Sequence, residues 1–160
     1  MRIAGLTTLA GALALASISA ASAAPSTASG SVALALAGVV APYSPLPAAE
    51  KKAVAAFFNG DSHVNYAKKI TVTADKIVCR TSNVDITSRS CELTFGSHTH
   101  TVKGRAANEI FATEALAGVP SDGAAGTIFE GLTKLSCTLD PKVIKENSGG
   151  GADCTFEPGN

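Results

Sequence analysis

The fold is decided by two similar stretches, CRTSNVDITSRSCELTF at residues 79–95 and CTLDPKVIKENSGGGADCTF at residues 137–156. In each stretch an apolar strand ends at a cysteine, a polar connection follows, and a second cysteine begins a short strand that ends in Thr-Phe. This hairpin pattern predicts the disulfides Cys79–Cys91 and Cys137–Cys154 rather than either of the other two pairings that four cysteines allow. Loop-closure entropy does not separate the pairings, because the longer crossed loops gain only about 1 kcal/mol more.

Alternation of apolar and polar residues extends both hairpins into a sheet. The alternation begins at Ile70, with a bulge predicted near Asp75, and it resumes from Cys91 to Phe95. Residues 98–103 and 127–139 continue the pattern as further strands. The sequence therefore predicts a sheet made mainly of neighbouring antiparallel strands.

Two helices complete the predicted domain. Residues 48–58 follow two prolines and end at Asn59-Gly60, and residues 105–117 end before Gly118. Their apolar residues recur at i, i+3 and i+4, which indicates one buried face on each helix. The order α-β-β-β-α-β-β predicts a two-layer α+β domain, with both helices on the same face of an antiparallel sheet of about four or five strands.

The first residues have the features of a secretory signal peptide. Arg2 supplies a positive charge, an apolar stretch follows, and Ala21-Ser22-Ala23 matches an A-x-A cleavage site. We expect cleavage after Ala23, and then a flexible leader over residues 24–43. The leader contains the apolar segment 32–41, which is too short to span a bilayer and fits a buried strand, a short helix or a docking segment. Residues 44–160 are then predicted to form a single domain.

The charge of the chain argues against nucleic acid as a partner. The sequence has 13 basic and 13 acidic residues, and loss of Arg2 with the signal peptide leaves a net charge close to −1. Phosphate contacts require a clustered basic face, and the only basic doublets are Lys51-Lys52 and Lys68-Lys69. We expect no membrane span in the mature chain.

The only constellation with metal chemistry is His98-Thr99-His100. Alternate residues of a strand project to the same face, so the two imidazoles could bind one metal ion. A complete site needs a third ligand, for which the candidates are His63, Asp61 and Glu92, and nothing in the sequence brings these close. Two exposed strand histidines without a metal are the simpler interpretation.

Other chemistry finds little support in the sequence. The four cysteines are used by the two disulfides, which places the chain in an oxidising compartment and leaves no thiol nucleophile. No G-x-S-x-G, H-E-x-x-H or S-x-x-K motif occurs. The pairs Asp85/Glu92 and Asp122/Glu130 could be drawn as glycosidase carboxylates, but the chain has no Trp and two Tyr to line a sugar cleft. We predict no cofactor.

We therefore expect an exported, non-enzymatic module, periplasmic or secreted, that binds an extracytoplasmic protein, with an enzyme inhibitor as its specific form. The polar connections at 80–90 and 140–153 are the candidate contact loops. Two alternatives remain open: a metal-binding protein or small hydrolase that uses His98 and His100, and a structural envelope component that assembles through residues 32–41.

Overall fold

The computed structural model describes residues 24–61, 63–80, 88–119, 129–147 and 149–158, with side chains described for all of these except 129–133 and 158. The signal peptide predicted for residues 1–23 lies outside this range. So do Asp85, Asp122 and the side chain of Glu130.

The described residues form four helices and seven strands. The helices are α1 (Ser31–Val40), α2 (Ala48–Phe58), α3 (Arg105–Leu116) and α4 (Pro141–Glu146). The strands are β1 (Ser26–Ser29), β2 (Ile70–Ala74), β3 (Lys76–Arg80), β4 (Ser90–Phe95), β5 (His98–Lys103), β6 (Phe129–Leu139) and β7 (Ala152–Pro158).

The seven strands form a sheet in which every pairing is antiparallel and the order is β1-β7-β6-β3-β4-β5. Strand β2 also pairs with β6. The sheet therefore has a four-stranded part (β1, β7, β6, β2) and a three-stranded part (β3, β4, β5), which are joined where β3 pairs with β6.

Strands β2 and β3 are consecutive in the chain, and both pair with β6. Ala74 lies opposite Leu135 and Ile77 lies opposite Leu132, so the register along β6 is kept across Asp75. The backbone N–H of Asp75 donates to Thr94, and its carboxylate accepts from the N–H of Gly96. Asp75 thus interrupts the strand at the position where the sequence predicts an irregularity.

The core lies between the sheet and the helices. The inward-facing residues of the strands alternate with exposed or half-buried threonines, serines and charged residues, as expected for an antiparallel sheet with one face in water. The largest fully buried apolar side chains are Phe156, Leu36, Ile70, Ile77, Leu93, Ile110, Leu135 and Leu139. The α+β class, the antiparallel sheet and both disulfides are confirmed, with more helices and strands than expected.

The expected leader, residues 24–43, is instead part of the fold. Residues 26–29 form β1, which pairs with β7, and residues 31–40 form α1. Of the three interpretations of the apolar segment, the structure shows the short helix: Leu36, Ala37 and Val40 are fully buried in the core. The domain therefore begins near residue 26 rather than at residue 44.

Helix α2 packs closely on α1, and its buried residues Ala53, Val54 and Phe57 belong to the same core as the inward-facing strand residues. The close approach occurs at Gly38, because a Cβ there would lie 2.5 Å from the Phe58 ring. The contact between α1 and α2 is therefore tight at this glycine.

Replacing Gly38 by alanine should therefore destabilise the protein. In an unobstructed helix Gly→Ala stabilises by about 1 kcal/mol, but here the new methyl group must displace Phe58, and such overpacking costs about 1–3 kcal/mol. Urea unfolding of Gly38→Ala, compared with the same variant carrying Phe58→Ala, measures both effects. If Phe58 is the obstacle, Gly38→Ala is harmful in the wild-type background and neutral or stabilising in the Phe58→Ala background.

Candidate functional site

The described ends of the two predicted contact loops lie at opposite ends of the sheet. The first loop leaves β3 after Arg80, at the end where Cys79 pairs with Phe129, and the second leaves β6 after Leu139, which pairs with Ile70. Ten residues of β2 and β3 separate the two ends, a distance of about 33 Å along an extended strand. A single small contact surface therefore cannot contain the described ends of both loops.

The first loop, residues 80–90, is described only at its ends. Arg89 is anchored on α3: its guanidinium lies 4.2 Å from the centre of the Phe111 ring, and its Nη1 donates to Asn108 Oδ1 at 3.3 Å. Arg80 forms an ion pair with Glu92 at 3.1 Å, in which both side chains are about half exposed. The described ends of this loop are thus held on the surface of α3 and β4.

The second loop, residues 140–153, contains α4 and is well tied together. Asp140 caps the helix by accepting from the Lys142 N–H at 3.1 Å, and it forms an ion pair with Lys69 at 3.4 Å. Partial desolvation acts to raise the pKa of Asp140, but the N–H groups of Lys142 and Val143 and the Lys69 ammonium outweigh it, so the pKa is lowered. This loop is therefore a built structural element and not a loose connection.

The disulfides fix the two hairpins at directly opposed positions. Cys79 is the register partner of Cys91, and Cys137 is the register partner of Cys154. The Cα atoms of each pair are 4.0 Å apart, and no described cysteine is free. The second disulfide thus closes the hairpin that carries α4.

An apolar pocket lies where α1, the end of α2 and α4 meet. Its volume is about 250 Å³. Its walls are formed by Leu34, Ala35, Phe57, Phe58 and Ile144, and polar groups lie at Ser31, Gly60 and Asp61. On α4 next to Ile144, the Val143 side chain is 41% exposed. The pocket is too small for most drug-sized ligands, but its size and apolar lining suit a single inserted side chain.

The pocket could not be found from the sequence, because its walls come from three elements that are distant along the chain. The signal for its helix α4 was present, however. Asp140 followed by Pro141 is the common N-cap and first-turn combination of a helix, and the structure shows Pro141 at the start of α4.

His98 and His100 both lie on β5, opposite Phe95 and Leu93, and they project to the same face as predicted. The His100 ring is packed against aromatic rings, with centroid distances of 5.5 Å to Tyr43 and 6.1 Å to Phe95. Glu92 is paired with Thr101 and so lies on the opposite face of the sheet.

The described residues hold no cluster of three or more His, Cys, Asp or Glu side chains that could bind a metal ion. Among the described residues, His98 and His100 therefore have no third side chain beside them that could complete a metal site. The simplest role that the contacts give His100 is packing against Tyr43.

No family model, no curated protein and no solved structure matches this chain. Within the described part of the chain, none of the helices is long and apolar enough to cross a membrane.

Proposed function

We propose that the chain is an exported, non-enzymatic module that binds an extracytoplasmic protein, and that it acts as an inhibitor of an enzyme. The observation that carries this proposal is the apolar pocket beside the disulfide-closed loop 140–153. A pocket flanked by an ordered polar loop is the arrangement in which an aromatic or aliphatic side chain of a partner gains most of its binding energy. Preorganisation of the loop lowers the entropy cost of binding.

The contact surface is assigned to the α1, α2 and α4 side of the molecule. Phe57, Phe58 and Ile144 supply the apolar centre, while Lys142, Lys145 and Glu146 supply exposed charges on α4. An apolar centre with a polar rim is the usual composition of a protein interface. The described ends of the loop 80–90 lie at the other end of the sheet, and this loop is not assigned to the surface.

A matched pair of variants tests the proposal. Ala35 is half-buried in the pocket wall, whereas Ala55 is exposed on α2 and lies outside the pocket. Ala35→Lys should place an ammonium group in the pocket and weaken partner binding by about 2 kcal/mol, or roughly 30-fold. Ala55→Lys makes the same chemical change on a helix surface and should bind as the wild type does.

The measurement begins with purified, oxidised residues 24–160 as bait for the envelope fraction and growth medium of the source cells. A protein that is retained near one-to-one by the wild type and Ala55→Lys, and lost with Ala35→Lys, is the expected partner. Its affinity is then measured by calorimetry and, if it is an enzyme, its activity with and without the module. Equal retention by all three chains would contradict the pocket, and no stoichiometric partner would contradict the binding function.

A further inference from the structure

The sheet is built from two equivalent units. From the centre to one edge the strands are β3, β4 and β5, and from the centre to the other edge they are β6, β7 and β1. Each unit has a disulfide between its first two strands, and its third strand leads directly into a helix, α3 in the first unit and α1 in the second. The antiparallel pairing of β3 with β6 relates the two units by an approximate twofold axis.

The equivalence extends to individual atoms. Cys91 lies opposite Val102, and Cys154 lies opposite Ala28. Val102 and Ala28 each precede by two residues the glycine that comes directly before the following helix, Gly104 or Gly30. These glycines share an unusual backbone conformation, with φ 61° and ψ −133° at Gly104 and φ 71° and ψ −141° at Gly30.

The two units also share the contact between the disulfide and the first turn of the helix. The Sγ of Cys91 lies 3.8 Å from the carbonyl oxygen of Ala107, and the Sγ of Cys154 lies 3.5 Å from that of Ala33. Both alanines are the third residue of their helix. Two disulfide hairpins therefore receive a strand–glycine–helix segment in the same way.

The units differ in how that segment is attached. In the first unit the turn at Gly96-Ser97 joins β4 directly to β5. In the second unit β7 and β1 are not consecutive, because β1 and α1 precede the rest of the domain and are linked to it only through residues 41–47. Both disulfides lie inside their hairpins, so neither holds β1–α1 in place.

We propose that residues 26–40 are an exchangeable docking segment, which fills the edge of β7 in its own chain and can fill the same place in a second copy. The acceptor surface is the edge of β7 together with the core beneath the Cys137–Cys154 disulfide. The partner that this surface fits is thus the same segment of another molecule, in the reciprocal arrangement of a domain-swapped dimer.

The connection over residues 41–47 suits such an exchange. It contains Pro42, Pro45 and Pro47. In the closed monomer Ala41 is helical and the turns are held by hydrogen bonds from the Tyr43 N–H to Val40 and from the Ser44 N–H to Ala41. Exchange opens these turns, and the prolines then favour an extended connection. Seven extended residues span about 24 Å, which allows the segment to reach a neighbouring molecule. In the dimer each apolar pocket combines Leu34 and Ala35 of one copy with Phe57, Phe58 and Ile144 of the other.

The test uses a pair of introduced cysteines that reports which chain supplies β1. Thr27 and Thr155 are register partners between β1 and β7, so Thr27→Cys with Thr155→Cys forms a bond within one chain in the monomer and between chains in the exchanged dimer. The variant is unfolded in denaturant with its two native disulfides intact and with the thiols at positions 27 and 155 reversibly blocked. It is refolded at low and at high protein concentration, and only then are the two thiols unblocked and oxidised to form the introduced disulfide. We expect monomer at low concentration and, at high concentration, a dimer that remains linked on a non-reducing gel.

A circular permutant is the matched control. A short linker joins residue 160 to residue 24, and the new ends lie between Tyr43 and Ser44, so the second unit becomes continuous like the first. The permutant should fold with the same two disulfides and lose the concentration-dependent dimer. The proposal is overturned by a wild-type chain that stays monomeric at all concentrations, by a dimer in which the introduced disulfide between positions 27 and 155 lies within one chain, or by a permutant that cannot form the native disulfides.

Discussion

Replacing Glu114 by glutamine is expected to stabilise the protein at neutral pH. Glu114 lies on α3 and is fully buried, and neither carboxylate oxygen has a hydrogen-bond partner in the described structure. Desolvation by burial raises the pKa of this carboxyl to about 8 from 4.5. The folded protein therefore keeps a proton on Glu114 that the unfolded chain releases above pH 4.5.

The pH dependence follows from this difference. Between pH 4.5 and pH 8 the folded state binds more protons than the unfolded state, so the free energy of unfolding falls as the pH rises. At pH 7 the loss is on the order of 3 kcal/mol, at 1.36 kcal/mol per pH unit above the unfolded-state pKa. Below pH 4.5 both states are protonated and the loss disappears.

Urea unfolding from pH 4 to pH 9 measures the effect. Glu114→Gln should resemble the wild type near pH 4.5 and exceed it increasingly up to pH 8. Glu109→Gln is the control, because it makes the same chemical change on the same helix at a residue that is only partly buried. Parallel curves for Glu114→Gln and the wild type would show that the carboxyl has another source of stabilisation.

The helical spacing in the sequence places Glu114 on the buried face of α3, but a charged residue is not normally expected there. Ala107 and Ile110 lie on the buried face of α3, and Glu114, seven residues after Ala107, continues that face. Leu116, which is apolar, is 75% exposed instead. Hydrophobic periodicity finds a buried face only where the buried residues are apolar, so it cannot find a buried acid.

The disulfides and most strands were predictable because their signals are local. Each cysteine pair closes a hairpin between strands of period two, and β5 has the predicted bounds of 98–103. Strand β1 was not predictable: its sequence STAS is that of a linker, and it becomes a strand only through pairing with β7. Helix α1 is buried on several sides, so its ten residues show no amphipathic stripe that distinguishes helix from strand.

The approximate twofold arrangement explains why the similarity of residues 79–95 and 137–156 stops short of a visible repeat. The second unit is completed by residues 26–40, which lie about 100 residues before its hairpin, so a linear comparison of the two stretches misses the shared strand and helix. In the second unit the order of the parts along the chain is circularly permuted, because its third strand and its helix come before its hairpin. Only the register of β1 against β7 reveals which hairpin the first strand belongs to.

Alanine substitution at the two equivalent glycines should separate backbone strain from steric conflict. Gly30 and Gly104 both have positive φ in a region that only glycine adopts easily, so each substitution costs about 1–3 kcal/mol from the backbone alone. At Gly104 a Cβ meets nothing within 4 Å, whereas at Gly30 it would lie 2.7 Å from the carbonyl oxygen of Gly149. Gly30→Ala must therefore also displace the backbone of the loop that carries α4.

We expect Gly30→Ala to be the more harmful change, with a total loss above the roughly 1–3 kcal/mol range of backbone strain, and Gly104→Ala to stay within it. Urea unfolding of both variants gives the difference directly. Gly30→Ala should also weaken partner binding, because the displaced loop borders the apolar pocket, while Gly104→Ala should leave binding unchanged. Equal losses of stability at the two positions would mean that Gly149 moves without cost, and the loop 140–153 would then be too loose to serve as a preorganised contact surface.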